Sequence, residues 1–262
     1  MIFPFVKYQG TGNDFVIIDN RKKQFPTKDH DVIAKICHRN FGIGADGFIL
    51  IESNTAADFS MRYFNADGHE GSLCGNGSRC AIHYARSLGL TKKEVVFHAS
   101  DGLHKAQFIA SEVALELHAV SQWEARGAAI FLDTGSPHHV VFVADINAID
   151  VAVKGAEIAH GAPYYDDGTN VNFVQQVDEN TIRVRTYERG VEAETLSCGT
   201  GVTAAALATH ISNQTTSNKI QIHTRGGDLS VSFTPTKNGY ESILLQGPAT
   251  TVFTGNWELN SL

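Results

Sequence analysis

The sequence predicts an α+β fold of two pseudo-symmetric lobes, each rich in strands and wrapped around a central helix. Three observations lead to this prediction: segments that recur in the same order, short β-rich runs bounded by turn residues, and a Cys-Gly-x-Gly motif before a helix-like run in each half. A chain of 262 residues is long enough for two modest domains with their own cores.

The repeat is clearest around the two motifs. Residues 61–77 (MRYFNADGHEGSLCGNG) align with residues 184–201 (VRTYERGVEAETLSCGTG) when one inserted residue is allowed, so that Cys74 falls on Cys198. Two more pairs of segments align upstream, and all offsets are 123 to 124 residues: 10–19 with 134–145, and 44–52 with 168–177. Three segments in one order indicate an internal duplication.

Each half contains short runs of β-branched and aromatic residues between Gly, Asp or Asn, which is typical of strands. In the first half the runs are FVIID (15–19), FILIE (48–52), MRYF (61–64), VVFHAS (95–100) and VALELHAV (113–120). In the second half they are VVFV (140–143), FVQQV (173–177), IRVRTY (182–187), IQIHT (220–224), LSVSF (229–233) and SILLQ (242–246).

One helix per half is predicted directly after the Cys-Gly-x-Gly motif, in CAIHYARSLG (80–89) and in VTAAALATH (202–210). A second helix per half is predicted within 27–41 and 146–160, the latter less clearly periodic.

The lobes are predicted to divide near Gln122–Arg126. This gives an N-terminal lobe at 1–122 and a C-terminal lobe at 123–249, with the tail 250–262 returning to the first lobe.

Composition excludes several classes of protein. The net charge of −7 argues against a nucleic-acid binder, which would carry a basic face. No secretory signal is visible, and no apolar run approaches the roughly 18 residues that a membrane span needs. Four cysteines in a chain of this length do not make a disulfide scaffold, so we expect a reduced, cytoplasmic protein.

The two cysteines before Gly-x-Gly indicate acid/base chemistry. A helix N-terminus carries unpaired N–H groups and a partial positive charge, and a cysteine there is expected to have a lowered pKa. Glycines let an anion approach those N–H groups. Two such thiols on opposite faces of one carbon suit racemisation or epimerisation, in which one thiolate removes a proton and the other thiol returns one.

Alternative interpretations of the cysteines remain open. Free cysteine is often core filler, and we interpret Cys37 and Cys80 in that way because neither recurs in the other half. A disulfide between Cys74 and Cys198 is a second alternative, although it would be unusual in cytosol.

The combination of motifs resembles the diaminopimelate epimerase family over essentially the whole chain. The resemblance rests on GTGNDFVIID, GIGADG, YFNADG, CGNGSRC, GSPHHV, YERGVEAETLSCGTG and GPATTVFTG. It implies an isomerase without cofactor or metal that interconverts LL-2,6-diaminopimelate and meso-diaminopimelate, in lysine and peptidoglycan precursor biosynthesis. It also implies barrel-like sheets around each central helix, an active site between the lobes, and a homodimer.

The resemblance further assigns roles to residues. Cys74 and Cys198 match the acid/base pair, and Gly75-Asn76 and Gly199-Thr200 match the residues whose N–H groups hold the reacting carboxylate. The polar residues that match substrate contacts are Asn13, Asn65, His138, Asn170, Glu188 and Arg189. Arg189 matches the residue that pairs with the distal carboxylate. A buried arginine without a partner would be costly, so Arg189 and the several Asn residues favour a substrate with a second charged end.

Simpler interpretations of these polar residues exist. Asn65 and Asn170 lie in good turn sequences, and Glu188 and Arg189 could form a surface pair. His138 and His139 follow a proline and could be exposed loop residues. The chain departs from some family members in having Ser136 instead of Asn, and Gly47 instead of Gln.

Rival functions are a proline or hydroxyproline racemase with the same two-thiol logic, and a phenazine-biosynthesis type isomerase, which lacks the cysteine pair. A metal or redox protein is less well supported, since there is no C-x-x-C or H-E-x-x-H. The repeated motifs contain no lysine for pyridoxal phosphate, and no G-x-G-x-x-G follows a strand. A non-catalytic anion-binding module would leave the paired thiols unexplained.

Overall fold

The computed structural model describes residues 1–71 and 73–259, so the last three residues of the predicted tail 250–262 lie outside the described residues. Within them there are four α-helices and two short 3₁₀ helices, at Ile146–Ala148 and Tyr165–Asp167. The α-helices are α1 (His30–Cys37), α2 (Gly75–Ser87), α3 (Val151–Ala159) and α4 (Gly199–Ile211). Both predicted helices of each half are thereby confirmed.

Strands dominate the described part of the chain. The first eight are β1 (Ile2–Gly10), β2 (Asn13–Asp19), β3 (Gly47–Glu52), β4 (Phe59–Asn65), β5 (Glu94–Ala99), β6 (Gly102–Ile109), β7 (Glu112–Leu117) and β8 (Trp123–Arg126). The others are β9 (Ala129–Asp133), β10 (Pro137–Phe142), β11 (Asn170–Gln176), β12 (Thr181–Glu188), β13 (Ala193–Thr195), β14 (Lys219–Thr224), β15 (Gly227–Thr236), β16 (Gly239–Gly247) and β17 (Thr250–Glu258).

The chain forms two compact units. One contains Met1–Leu115 and the segment from Pro248 onward, and the other contains Glu116–Gly247. Trp123–Arg126, where the division was predicted, is β8, which pairs with β9 inside the second unit. We retain 1–122 and 123–249 as a proposal for the two functional domains.

Both units have the same strand topology, which confirms the predicted duplication. In the first, β1 and β2 are antiparallel, β2 and β3 parallel, β3 and β4 antiparallel, β4 and β5 parallel, and β5, β6 and β7 form an antiparallel meander. In the second, β9 and β10 are antiparallel, β10 and β11 parallel, β11 and β12 antiparallel, β12 and β14 parallel, and β14, β15 and β16 form an antiparallel meander.

Side chains repeat as well as strands. Arg62 on β4 donates to Glu70 at 2.9 Å, and Arg185 on β12 donates to Glu194 at 2.8 Å, in each case with a second parallel bond. Such paired bonds between guanidinium and carboxylate hold a definite geometry. They tie the end of the strand to the segment that leads to the cysteine in each unit.

The first unit buries both faces of its central strands. Phe15 to Ile18 on β2 and Phe48 to Ile51 on β3 are all buried, which explains why their sequences are continuously apolar. Side chains alternate between the faces of a strand. Val16, Ile18, Phe48 and Leu50 therefore share a core with α1, whereas Phe15 and Ile49 contact Gly77 of α2 on the other face.

The second unit repeats this arrangement with α3 and α4. Val171 and Phe173 on β11 share a core with α3, and Val174 on the opposite face belongs to the core around α4. Helix α4 packs against β9, β10, β11, β12, β14, β15 and β16, and its residues from Gly201 to Thr209 are all buried. Its small side chains (VTAAALAT) permit this close approach, and α4 is the predicted central helix.

The end of the chain joins the first unit. Strand β17 pairs antiparallel with β1 along nearly its whole length, from Ile2 with Glu258 to Gln9 with Thr250. The first unit is thus assembled from two stretches of chain that lie on either side of the second unit in the sequence.

No helix in the described parts of the chain is long and apolar enough to cross a membrane.

Candidate active site

Cys74 lies at the N-cap of α2, as the sequence predicts. Its backbone is extended, and its Sγ accepts a hydrogen bond from the backbone N–H of Gly77 at 3.5 Å. Side-chain acceptors at the N-cap satisfy one of the N–H groups that a helix leaves unpaired. The half-buried Cys74 therefore sits at the positive end of the helix.

Cys198 has the equivalent position at the N-cap of α4 and also has an extended backbone. It is more buried than Cys74, and its Sγ lies 3.5 Å from the hydroxyl of Thr200. Each unit thus presents one thiol at the start of its central helix, with Gly75 and Gly199 as the first helical residues.

Two of the predicted polar residues meet around the start of α2, and we call the residues around each N-cap cysteine a half-site. Buried Asn76 donates from Nδ2 to Asn13 Oδ1 at 3.1 Å, and Asn13 donates from Nδ2 to Asp46 Oδ2 at 2.7 Å. A carboxylate only accepts, so it fixes the orientation of both amides. Asp46 in turn accepts from Arg39 at 2.6 Å.

A fully buried arginine supports this half-site, and sequence reasoning missed it. Arg79 donates to Asn76 Oδ1 at 2.9 Å and to Thr11 Oγ1 at 3.0 Å, and burial lowers its pKa. No carboxylate among residues 1–71 and 73–259 forms an ion pair with it. A charged residue in the predicted central helix, five positions after Cys74, was the signal that could have identified it.

The second half-site is built around His138, which is completely buried on β10. Its Nδ1 lies 3.0 Å from Asn172 Nδ2 and its Nε2 lies 3.1 Å from Ser136 Oγ. Burial, with a smaller contribution from the charge of Arg189, lowers the pKa of His138 to about 3. The imidazole is therefore neutral at physiological pH, and the suggestion that His138 is an exposed loop residue is wrong.

Asn170 and Arg189 meet in the second unit as well. Asn170 is buried, and its Oδ1 accepts from the backbone N–H of Arg189 at 3.0 Å. The Arg189 side chain is exposed and its guanidinium donates to the carbonyl oxygen of Asp167 at 2.9 Å. Arg189 was expected to be buried, which favoured a second charged group on the substrate; the exposed side chain shows that this expectation of burial is wrong. Glu188 ends β12 and is half-buried.

Asn65 is exposed at the end of β4, where its backbone closes the turn that leads to Gly68 and His69. The turn interpretation of Asn65 is thereby confirmed for its backbone, and a substrate contact by its side chain stays a prediction.

Cys37 and Cys80 differ from the two N-cap cysteines. Cys37 lies in the apolar core with α1 and Cys80 is completely buried in α2, and burial raises the pKa of each thiol to about 12. Their interpretation as core residues is confirmed, because such thiols stay protonated and unreactive at neutral pH.

The two half-sites differ beneath the helix start. Phe15 pairs with Gly47 across β2 and β3 as His138 pairs with Asn170 across β10 and β11. At the same register, the apolar pair Phe15 and Ile49 of the first unit is replaced by His138 and Asn172 in the second. Asn172 was not predicted, although a polar residue facing the central helix in the apolar run NVNFV was a usable signal.

Two units of one topology, each with a cysteine capping its central helix, define the class of duplicated two-lobed isomerase folds. The family model described as diaminopimelate epimerase matches residues 5–116 and 130–252. The chain belongs to the diaminopimelate epimerase family.

Named relatives agree with this assignment. The chain is 46% identical to a diaminopimelate epimerase of Flavobacterium psychrophilum, over 94% of this chain and 97% of that protein. It is 40% identical to a diaminopimelate epimerase of Chlorobaculum tepidum, over 94% of this chain and 98% of that protein.

Solved structures show the fold. A phenazine biosynthesis protein of the PhzF family from Bacillus anthracis matches with a TM-score of 0.78 at 15% identity, over 99% of this chain and all of that one. A hydroxyproline epimerase from Agrobacterium vitis matches with a TM-score of 0.65 at 14% identity, over 97% of this chain and 92% of that one. The predicted fold class is confirmed.

Proposed function

We propose that this chain is a cofactor-independent epimerase that interconverts LL-2,6-diaminopimelate and meso-diaminopimelate, with Cys74 and Cys198 as its acid and base. One observation carries the proposal: in a member of this family, both units place a cysteine at the N-cap of the equivalent helix. Its place would be in lysine and peptidoglycan precursor biosynthesis, in the cytoplasm.

The reaction needs one base and one acid. In one direction a thiolate removes the α-proton of the substrate, and the second thiol delivers its own proton to the opposite face of the same carbon. The first cysteine then holds a proton and the second is a thiolate, so the two have exchanged roles and are ready for the reverse direction. Both thiols must therefore reach a single α-carbon during turnover.

The negative charge that develops on the substrate must be stabilised for this step to occur. Backbone N–H groups of Gly75, Asn76, Gly199 and Thr200 at the two helix starts would hold the α-carboxylate, where the helix dipoles favour negative charge. At the start of α2 the donors are held in place before the substrate binds, because the Asn76 side chain is hydrogen-bonded to Asn13 and Arg79. No group outside the chain is required to accept the electrons.

The remaining contacts distinguish diaminopimelate from smaller amino acids. Exposed Arg189 is available to pair with the distal carboxylate, and Glu188, one residue before it, would hold an ammonium group. Asn13, Asn65, His138 and Asn170 complete the proposed set of substrate contacts.

A homodimer is part of this proposal. Val252 and Phe253 on β17 are exposed apolar side chains in the first unit, which a second copy could cover. Light scattering coupled to gel filtration tests this directly, since a monomer at micromolar concentration would contradict it.

The function is tested by incubating the protein with LL-diaminopimelate in D₂O without added cofactor. We expect the meso isomer to form and deuterium to enter at the α-carbon. Cys74→Ala and Cys198→Ala should each abolish epimerisation, whereas Cys80→Ala, a matched change at a buried thiol, should not. Near-native activity in either N-cap variant would contradict the two-base mechanism, and turnover of proline in place of diaminopimelate would favour the rival racemase.

A further inference from the structure

A row of hydrogen-bonded polar groups, some buried and some half-buried, runs beneath the start of α4, and the proton positions along it can be assigned one by one. The row begins with Asn170. A backbone N–H can only donate, and that of Arg189 donates to Asn170 Oδ1 at 3.0 Å. The amide nitrogen of Asn170 must then face the other way, where it donates to Ser136 Oγ at 3.1 Å and to the carbonyl oxygen of Pro137 at 3.0 Å.

The second amide in the row belongs to Asn172, which is completely buried. Its Oδ1 accepts from the hydroxyl of Thr186 at 2.9 Å and lies against Gly201, so close that a Cβ at Gly201 would clash with it. Gly201 is in the first turn of α4, where N–H groups and the positive end of the helix favour an oxygen over an NH₂ group. Asn172 Nδ2 therefore faces His138 Nδ1, at 3.0 Å.

These contacts decide which nitrogen of His138 carries the proton. The ring is buried and neutral, so it has one N–H. Nδ1 receives a hydrogen bond from Asn172 and must be the unprotonated nitrogen. The proton is then on Nε2, which donates to Ser136 Oγ at 3.1 Å.

Ser136 connects His138 to the hydroxyl of Thr200, which lies next to the thiol of Cys198. Its oxygen accepts from both Asn170 and His138, so its own proton is left for the hydroxyl of Thr200, 3.4 Å away. The Thr200 hydroxyl then directs its proton to Cys198 Sγ, at 3.5 Å. The distance between the Ser136 and Thr200 hydroxyls is long, as hydrogen bonds of catalytic groups often are before a substrate binds.

We propose that Asn172 and Ser136 are positioning residues that hold His138 as its Nε2–H tautomer and aim the hydroxyl of Thr200 at the sulfur of Cys198. This rests on the epimerase function proposed above, in which Cys198 must carry a negative charge when it acts as the base. A hydroxyl that can only donate towards the sulfur stabilises the thiolate over the thiol.

Among the described residues of the first unit, no histidine or amide stands at the register of His138 and Asn172, which makes the surroundings of the two thiols different. Phe15 and Ile49 occupy the places of His138 and Asn172, and a Cβ at Gly77 would lie 3.2 Å from Ile49 and 3.3 Å from Phe15. Cys74 instead accepts from the backbone N–H of Gly77. We therefore expect the stabilisation by the Thr200 hydroxyl to act on the thiolate of Cys198.

The tautomer can be observed directly. Two-bond ¹H–¹⁵N correlation spectra of the uniformly labelled full chain distinguish an Nε2–H from an Nδ1–H imidazole by the ¹⁵N shifts. We expect the Nε2–H pattern for His138 at pH 7, assigned by its loss in His138→Gln. An Nδ1–H pattern would overturn the proposal, because Ser136 would then have to donate to His138 instead of Thr200.

The effect on the thiol is measured by peptide-resolved alkylation with iodoacetamide as a function of pH. Thr200→Val should slow the modification of Cys198 at pH 7 about tenfold, the effect expected for loss of one hydrogen bond to a charged group. Modification of Cys74 should be unchanged. Thr209→Val is the matched control, because Thr209 is also buried in α4 but bonds only to the carbonyl of Ala205.

Asn172→Ile tests the origin of the effect, since it copies the residue at the same register in the first unit. We expect His138 to be a mixture of its two tautomers and the alkylation of Cys198 to be slower, again with the alkylation of Cys74 unchanged. Equal slowing of both cysteines, or no slowing of Cys198 in Thr200→Val, would overturn the proposal. Because alkylation and tautomer need no substrate, these results are independent of whether the unmodified protein epimerises diaminopimelate.

Discussion

At the scale of the residue, four cysteines occupy two kinds of environment. Burial raises the pKa of Cys37 and Cys80 to about 12, whereas Cys74 and Cys198 lie at helix N-termini. We expect iodoacetamide at pH 7.5 to modify only Cys74 and Cys198 in the folded protein, and all four cysteines in urea. Mass spectrometry of the peptides measures this, and rapid modification of Cys80 in the native state would be inconsistent with its burial.

Arg189 decides the substrate. Arg189→Met should raise KM for diaminopimelate about 10- to 100-fold, the cost of losing one hydrogen-bonded charge. Turnover should fall less, because a distal contact is the same in the ground and transition states. Arg183→Met is the control, since Arg183 is also exposed on β12. An unchanged KM in Arg189→Met would argue against diaminopimelate while leaving the two-thiol mechanism standing.

Single residues were predictable where their position repeats. Cys74 and Cys198 stand out because two copies of one motif carry them, and the N-cap geometry follows from the glycines after them. Arg79 and Asn172 were not assigned because nothing at the equivalent positions repeats them: Thr203 corresponds to Arg79, and Ile49 to Asn172. Their importance comes from neighbours brought together by pairing of distant strands.

At the scale of the element, the two central helices begin with the same motif but tolerate different changes. A Cβ at Gly77 would lie 3.2 Å from Ile49 and 3.3 Å from Phe15, contacts that small shifts can relieve. A Cβ at Gly201 would clash with Asn172 and come within 3.3 Å of the sulfur of Cys198.

Gly201→Ala should therefore reduce activity far more than Gly77→Ala. We expect kcat to fall at least tenfold more in Gly201→Ala, because displacement of reacting groups by about 1 Å can cost a hundredfold. Initial rates of the two variants, with circular dichroism to confirm folding, measure the difference. Similar rates would show that the start of α4 accommodates an added Cβ as easily as the start of α2.

The helices and most strands were predictable as elements. Continuous apolar runs identified β2, β3, β10 and β11, and these runs are continuous because helices cover both faces of the paired strands. Strands β1, β6, β8, β9, β13 and β17 were not predicted. In β17 nearly every residue is exposed, so its sequence (TTVFTGNWE) lacks the alternation that marks a half-buried strand.

At the scale of the whole molecule, stability should depend on pH through the buried His138. Its pKa is about 3 in the folded protein and 6.5 ordinarily, so between these values the unfolded chain binds a proton that the folded chain does not. The free energy of unfolding should then fall as the pH drops from about 6.5 towards 3, by at most about 1.4 kcal/mol per pH unit from this group.

Asp14 acts in the same direction at lower pH. Burial opposes its ionisation, but hydrogen bonds from Arg39 and Lys7 outweigh this and lower the pKa of Asp14 to about 2. Its stabilisation is present above its ordinary value of 3.8 and is lost as the pH falls towards 2.

Urea unfolding followed between pH 7 and pH 4.5 tests the role of His138, because Asp14 contributes little in this range. His138→Asn should flatten the decline of the midpoint with falling pH, and His98→Asn, at an exposed histidine, should not. The same slope in wild type and His138→Asn would assign the decline to other groups.

The duplication made the architecture of each unit predictable, because two different stretches of sequence indicate the same order of strands and helices. The division of the chain was harder to place. A strand such as β8 near the crossing looks the same in sequence whether it ends one unit or begins the next, and only its pairing with β9 decides the matter.

The pairing of β1 with β17 has a consequence for how the protein is made. Residues 116–247 leave the ribosome after β1 and before β17, so the second unit is complete as a nascent chain while the first still lacks a strand. At 5 to 20 residues per second, β1 waits roughly 12 to 50 seconds for β17, which lies about 240 residues further along the chain. We expect the second unit to fold first on the ribosome, reversing the order in which domains usually mature. During this time the edge of β1 that β17 later covers is an unpaired strand edge, which is open to association with other chains.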